Sequence, residues 1–191
     1  SLDAVGYISA THADNLPVLS KEVLSGALDI PSGELRKKVV IPLGEEAIIA
    51  TTGRMVFTRH RAIANNAMKI LSEKFDLDSD DIYIELIKAA RRAFLGNSFV
   101  PDIGKWNYLS DVFFEMGDKT LGIQLAQAIL EVEPTNPYLI VKLAQLYRKA
   151  EQPEQSIHVF RSSPSITKRD RAFFYEWGTA EGFVGNHALA C

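Results

Sequence analysis

The 191-residue chain reads as a mainly α protein: three helices closed by a short β-hairpin, then a helical linker, then a solenoid of helical hairpins. Three observations carry that reading. Apolar residues recur at helical spacing through most of the chain. Two β-rich runs flank Gly53, and from residue 103 onward the residue types return every 34 positions. With 47% hydrophobic and 24% charged residues the chain has the apolar surface to build a core, and its net charge of −3 is an ordinary balance. No apolar run approaches the roughly 20 residues of a membrane-crossing helix. The single cysteine, Cys191, excludes a disulfide framework and a Cys-based zinc site. With no secretory signal either, a cytoplasmic protein is expected. The opening Ser1-Leu2 and a last run that reads as the start of a helix, "NHALAC", suggest a piece excised from a longer protein.

Taken in order, the first element is a helix over residues 3–13, capped by Asp3 and stopped before "NLP". Ser20 caps a second helix with Val23, Leu24, Ala27 and Leu28 on one face. In "PSGELRKKVVIPL" Ser32 is the expected N-cap and Leu35, Val39 and Val40 form the apolar stripe, with the helix ending before Pro42. The period then changes. Ala47–Ala50 and Met55–Thr58 are β-rich, and the "TTGR" between them offers Gly53 for a positive φ. Three helices and a hairpin make a winged helix-turn-helix, assigned to residues 1–60. Residues 61–102 read as a helical linker, with Ile63, Ala67, Ile70 and Leu71 on one stripe. Its second helix carries Ile82, Leu86, Ala89, Ala90 and Phe94 and is closed by Gly96.

Residues 103–191 carry the repeat. Steps of 34 align Trp106, Ile140 and Phe174; Leu109, Leu143 and Trp177; Ser110, Ala144 and Gly178; Gly117, Glu151 and Gly185; and Gly122, Ser156 and Ala190. This resembles the tetratricopeptide repeat. The first unit, Ile103 to Asn136, carries Trp106, Leu109, Phe113, Gly117 and Pro134, while the second, Pro137 to Asp170, keeps Leu143, Ala144 and Tyr147 but lacks the turn glycine. The third begins at Arg171 and stops early in its second helix. The resemblance implies an α-α superhelix whose inner helices line a groove for a protein or peptide ligand. Candidates for that groove are Asn107, Phe114, Tyr138, Arg148 and Tyr175. The Lys/Asn clamp of chaperone-binding repeats is not reproduced, since Asn107 and Asp111 stand in the first unit and Val141 and Gln145 in the second. With the third repeat cut, Phe174, Trp177 and Phe183 lack a partner helix, and self-association through that end is expected.

No catalytic pattern emerges. His12, His60, His158 and His187 are scattered without metal-ligand spacing. "GDKT" at Gly117–Thr120 lacks the upstream glycine frame of a phosphate loop and falls at the repeat turn. The carboxylate pairs Asp80-Asp81 and Glu45-Glu46 read as helix-start and surface charges. A non-catalytic chain without metal or cofactor of its own is therefore expected.

The informative cluster is "TRHRAIANNA". Arg59, His60 and Arg61 sit in the first turn of a helix that Thr58 is expected to cap, where the helix dipole favours negative groups. Basic side chains beside free N-terminal amides form a natural anion site. The competing expectation is that the arginines reach into solvent while His60 bonds to the hairpin. A winged helix running into "TRHR", followed by a helical linker and tetratricopeptide repeats, resembles the C-terminal half of bacterial STAND signal-transduction ATPases. Their relatives, the apoptosome and plant resistance ATPases, carry an "MHD" motif there, whose histidine contacts bound ADP. His60 matches that histidine, whereas Arg59 and Arg61 replace its neighbours, and His60, Arg59 and Arg61 are the expected contacts of a nucleotide phosphate in the intact protein. "EWG" at Glu176–Gly178 and "IPLGEEA" at Ile41–Ala47 also look like segments of that family. The resemblance implies a regulatory piece in which the winged helix relays nucleotide state and the repeats bind a protein trigger. An ATPase domain would lie upstream, holding ADP or ATP.

The alternative is a winged-helix transcriptional regulator with a repeat sensor, placing "ELRKKVV" in the major groove and Arg54 of the wing on phosphate. Charge weighs against DNA as a partner. Over residues 1–68 seven basic side chains (Lys21, Arg36, Lys37, Lys38, Arg54, Arg59 and Arg61) meet seven acidic ones, leaving no basic stripe.

Overall fold

The computed structural model describes residues 2–14, 16–163 and 171–185. The aligned Ala190, His187 and the second helix of the third repeat lie outside them. The chain divides into two compact units, Ser1–Tyr108 and Leu109–Cys191.

In the first unit α1 (Leu2–Ala13) leads to the two-residue strand β1 (Leu19–Ser20) and α2 (Lys21–Ala27). Ser20 caps α2 as expected, its hydroxyl accepting from the Val23 amide at 3.2 Å. Next come α3 (Ser32–Leu35), a π-helical turn (Arg36–Val40) and α4 (Ile41–Glu45). Here two expectations fail. The N-cap is Pro31, which has no side-chain hydrogen bond, and Ser32 instead turns its hydroxyl to Ser25 Oγ at 3.2 Å. The helix also continues past Pro42. The wide turn starts a fresh helical segment at Ile41, so the proline falls in a first turn, where its missing N–H costs no bond.

The hairpin is β2 (Ile49–Thr52) and β3 (Met55–Thr58), closed by the pair Thr52 and Met55 around Gly53 at φ +59°. A two-residue turn with glycine first matches the right-handed twist of the strands. Ala47, expected in the first strand, is the left-handed residue that follows the α4 C-cap Glu46, with φ +57°, and the strand begins only at Ile49. The sequence did not foresee β1, which pairs with β3 to give the antiparallel order β1-β3-β2.

Residues 61–102, expected as a linker, supply two helices to this unit. α5 (Arg61–Phe75) packs on α1, and α6 (Ser79–Leu95) packs on α2 and α1. The buried side of α5 is Ala64 and Leu71, while Ile70, expected in that stripe, is 45% exposed. In α6 the expected Ile82, Leu86, Ala89 and Ala90 are buried, but Phe94 is exposed beneath the Arg91 guanidinium. Gly96 is the C-cap, and the left-handed residue is Asn97.

α7 (Ile103–Glu115) runs across the division between the units, followed by α8 (Lys119–Val132), α9 (Pro137–Lys149), α10 (Pro153–Ser162) and α11 (Arg171–Phe183). The helices keep the period of the sequence: α7, α9 and α11 begin 34 positions apart, as do α8 and α10. The aligned turn residues Gly117, Glu151 and Gly185 all have positive φ, at 103°, 61° and 81°. The turn therefore imposes the same left-handed backbone where the residue is glutamate. Gly122 shows why a small residue recurs. A Cβ there would lie 2.7 Å from the Ser110 carbonyl oxygen and 2.8 Å from Phe114 Cβ. Its counterpart Ser156 is 1% exposed.

Ile140, Leu143, Ala144, Phe160 and Phe173 centre the core of the second unit. Two expectations need correction at α11. Phe174, aligned with the buried Trp106 and Ile140, is 53% exposed, and its neighbour Phe173 is the buried ring. Trp177 is not a free apolar face: it stacks on Phe160 at 6.0 Å and meets Phe173 edge-on.

Candidate functional site

The backbone behind the hairpin decides what the "TRHR" cluster does. β3 ends on Thr58, which is fully buried, and the Arg59 amide still bonds to the Ile48 carbonyl across the hairpin. The chain then turns at His60, the N-cap of α5, with extended φ −143° and ψ 146°. Its carbonyl accepts from the amides of Ile63 and Ala64 and so opens the helix. Thr58 is thus not the cap. Its hydroxyl is engaged with His12 Nδ1 of α1 and donates at 3.3 Å to the His60 carbonyl.

The two arginines diverge. Arg59 Nε donates to the Ile49 carbonyl at 3.3 Å, and Arg61 Nη2 donates to the Ala13 carbonyl at 2.9 Å. The latter explains the charge that the α5 dipole disfavours: the Arg61 cation serves the negative C-terminal end of α1. His60 lies between them, exposed, its imidazole capping nothing. The expectation that this ring bonds to the hairpin fails, because His12 makes the contact with strand β3. Nothing in the spacing of the sequence links residue 12 to residue 58.

On the helix that the DNA reading would place in the groove, Arg36, Lys37 and Lys38 are exposed, and Lys38 pairs with Glu34. Arg54 at the hairpin turn is held by Glu22 Oε1 at 2.6 Å. At the C-terminal end of α1, a hollow of about 480 Å³ is lined by Asp14, Asp76, Asp78, Ser79 and Tyr83. The Tyr83 hydroxyl donates to Asp14 at 2.7 Å, and burial, with that carboxylate second, pushes the phenol well above its usual value. Among the described residues no three His, Cys, Asp or Glu side chains gather as a metal site, and no helix is long and apolar enough to cross a membrane.

The expected groove residues separate into two kinds. Tyr138 and Tyr175 are 64% and 71% exposed. Phe114 instead packs on the core of the second unit, and Arg148 pairs with Glu176 at 3.0 Å and lies over the Phe183 ring. Asn107, in the first unit, accepts from Arg91 at 3.3 Å. Sequence reasoning missed the polar ladder across the helices that open each repeat. Lys142 of α9 pairs with Asp111 of α7 at 2.5 Å, and Gln145 and Arg148 of α9 both reach Glu176 of α11. Behind it Glu181, 1% exposed where the other units carry Phe113 and Tyr147, accepts from Arg161 and from Trp177 Nε1. No protein-family model matches the chain, and no curated protein matches it significantly.

Proposed function

We propose that this chain is a non-catalytic regulatory and sensor piece of a STAND-type signalling ATPase, with a winged helix relaying nucleotide state and tetratricopeptide repeats binding a protein trigger. The sheet order β1-β3-β2, with α1, α2 and the continuous helical run from α3 through the π-helical turn to α4 before the hairpin, supports the winged-helix reading of the first unit. The 34-residue spacing of helices and left-handed turns supports the repeats. The observation that carries the functional reading is His60. Its imidazole stands exposed on an N-cap directly behind the hairpin, while the arginines on either side are occupied by backbone carbonyls. A nucleotide phosphate offered by an upstream ATPase domain would meet that ring, which holds it by a charge-assisted bond in the closed state alone. Arg59 and Arg61 then act as supports of the turn, not as phosphate ligands.

Tyr138 and Tyr175, rigid and exposed, are the groove residues available to a peptide ligand. Exposed Phe174 and Phe183 on α11 favour self-association through that helix. The transcriptional-regulator reading keeps one favourable observation, the exposed Arg36 and Lys37, and loses Arg54 to Glu22.

The test is His60→Ala in the full-length protein. Loss of a bond worth about 1.5–3 kcal/mol in the closed state shifts the population toward the open form. ADP retention should fall and basal signalling rise, while the melting temperature of this chain stays unchanged. Unchanged ADP retention with a lowered melting temperature would retire the switch.

A further inference from the structure

The hairpin turn is tied down from two directions. Lys21, the first residue of α2, donates its amide to the Arg54 carbonyl at 2.8 Å and its ammonium to the Gly53 carbonyl at 2.7 Å. The Arg54 guanidinium, 56% exposed, holds Glu22 Oε1 with both Nε and Nη2. The same guanidinium lies 4.7 Å above the centre of the Phe99 ring. Phe99 belongs to the stretch 96–102, which follows α6 and leads into α7. Its carbonyl accepts at 2.8 Å from the hydroxyl of Ser20, a fully buried residue that also caps α2 and pairs with β3. The stretch therefore has a backbone anchor on a buried hydroxyl and a side-chain anchor on a solvent-reachable cation. The first lies in the core beside the α2 cap; the second lies at the surface.

We propose that residues 96–102 form a strap latched to the hairpin turn by Arg54 stacking on Phe99. Arg54 is the node that couples the turn to the chain leading into α7. This device stands on the geometry of the first unit alone and does not need the signalling reading. Coupling of this kind is reciprocal. Loosening the strap loosens the turn, and displacing Arg54 frees the strap.

Hydrogen exchange on the full chain tests it. Removing a partly exposed cation–π contact should speed exchange at the amides of residues 97–100 about two- to five-fold in Arg54→Ala and in Phe99→Ala alike. Phe99→Ala should also speed exchange at Gly53, on the far side of the contact. At the strap amides the double variant should add nothing beyond either single change, because the Arg54–Phe99 contact is the one interaction that both changes remove; the Glu22 pair is lost in Arg54→Ala alone. Arg54→Lys, a surface change that keeps the charge opposite Glu22 but loses the planar stack, should give a smaller increase at the strap. Amides of α8 should not change in any variant. Strap exchange that is unchanged in Arg54→Ala, an effect of Phe99→Ala confined to the strap, or effects at the strap amides that add in the double variant would overturn the latch.

Discussion

The two units hold their helices together by different means. In the second, α8 packs on α9, α9 on α10, and α10 and α9 on α11, so each helix is fixed by neighbours close in the chain. In the first, the closing contacts join distant residues: His12 to Thr58, Asp14 to Tyr83, Ser20 to Phe99, and α1 along α5. Order built from contacts between close neighbours is a sum of local interfaces, whereas a unit closed end to end is lost largely as one body. Damage in the second unit should thus stay local, and damage in the first should spread.

The largest expected effect is at Gly122. With the Ser110 oxygen 2.7 Å and the Phe114 amide nitrogen 2.9 Å from the new methyl, Gly122→Ala forces backbone apart. It should cost about 3 kcal/mol or more in urea unfolding. Loss of hydrogen-exchange protection should be confined to the second unit. Loss in both units alike would break the comparison.

Thr58→Val is the counterpart in the first unit. It keeps the shape and strands His12 Nδ1, while the His60 carbonyl keeps the Ile63 and Ala64 amides, at a cost of about 1–2 kcal/mol. Exchange should rise across α1, β3 and α5 together while α8 to α10 keep their protection. An effect limited to residue 58 and its neighbours would show that the first unit is not closed by this contact.

Alkali offers a smaller, chemical probe of the same closure. Tyr83 has its phenol raised from the model-compound value of 10.0, chiefly by burial and then by Asp14. A raised folded value means that the unfolded chain releases this proton first. Its contribution is therefore complete below pH 10 and is lost as the pH climbs from there toward the folded value. The urea midpoint should fall as the pH rises above 10, and by less in Tyr83→Phe. An equal fall in both would remove Tyr83 from the account.

The smallest effect should be a gain. Glu151 adopts φ +61° where the aligned residues are Gly117 and Gly185. A side chain in that region strains the backbone, and glycine relieves it at some entropic cost in the unfolded chain. Glu151→Gly should stabilise the protein by about 0.5–1 kcal/mol in thermal unfolding, and a loss of stability would show that the glutamate side chain itself contributes.

The same contrast explains which features the sequence disclosed. In the second unit one physical demand returns every 34 residues, so weak signals such as a small residue at Gly122 and Ser156 reinforce one another. The period misleads only where packing slips by one residue, as at Phe173 and Phe174. In the first unit the Ser20 cap and the Gly53 turn are local chemistry and were legible. Strand β1 has two residues, too few for any pattern, and Pro42 misled because a π-helical turn restarted the helix. At the candidate site the basic cluster drew notice by breaking the dipole rule. What its members bond to depended on α1, some 46 residues away, which spacing does not encode.

The exact recurrence of helix starts at residues 103, 137 and 171 has a mechanical consequence. Pulled from its ends, a stack held only by neighbours yields one hairpin at a time. Each released repeat of 34 residues pays out about 110–120 Å of extended chain. A first unit whose α1 lies along α5 loads those two helices in shear and gives way in a single, larger event. A ligand clamped across α9 and α11 would delay one of the small steps and leave the large one untouched.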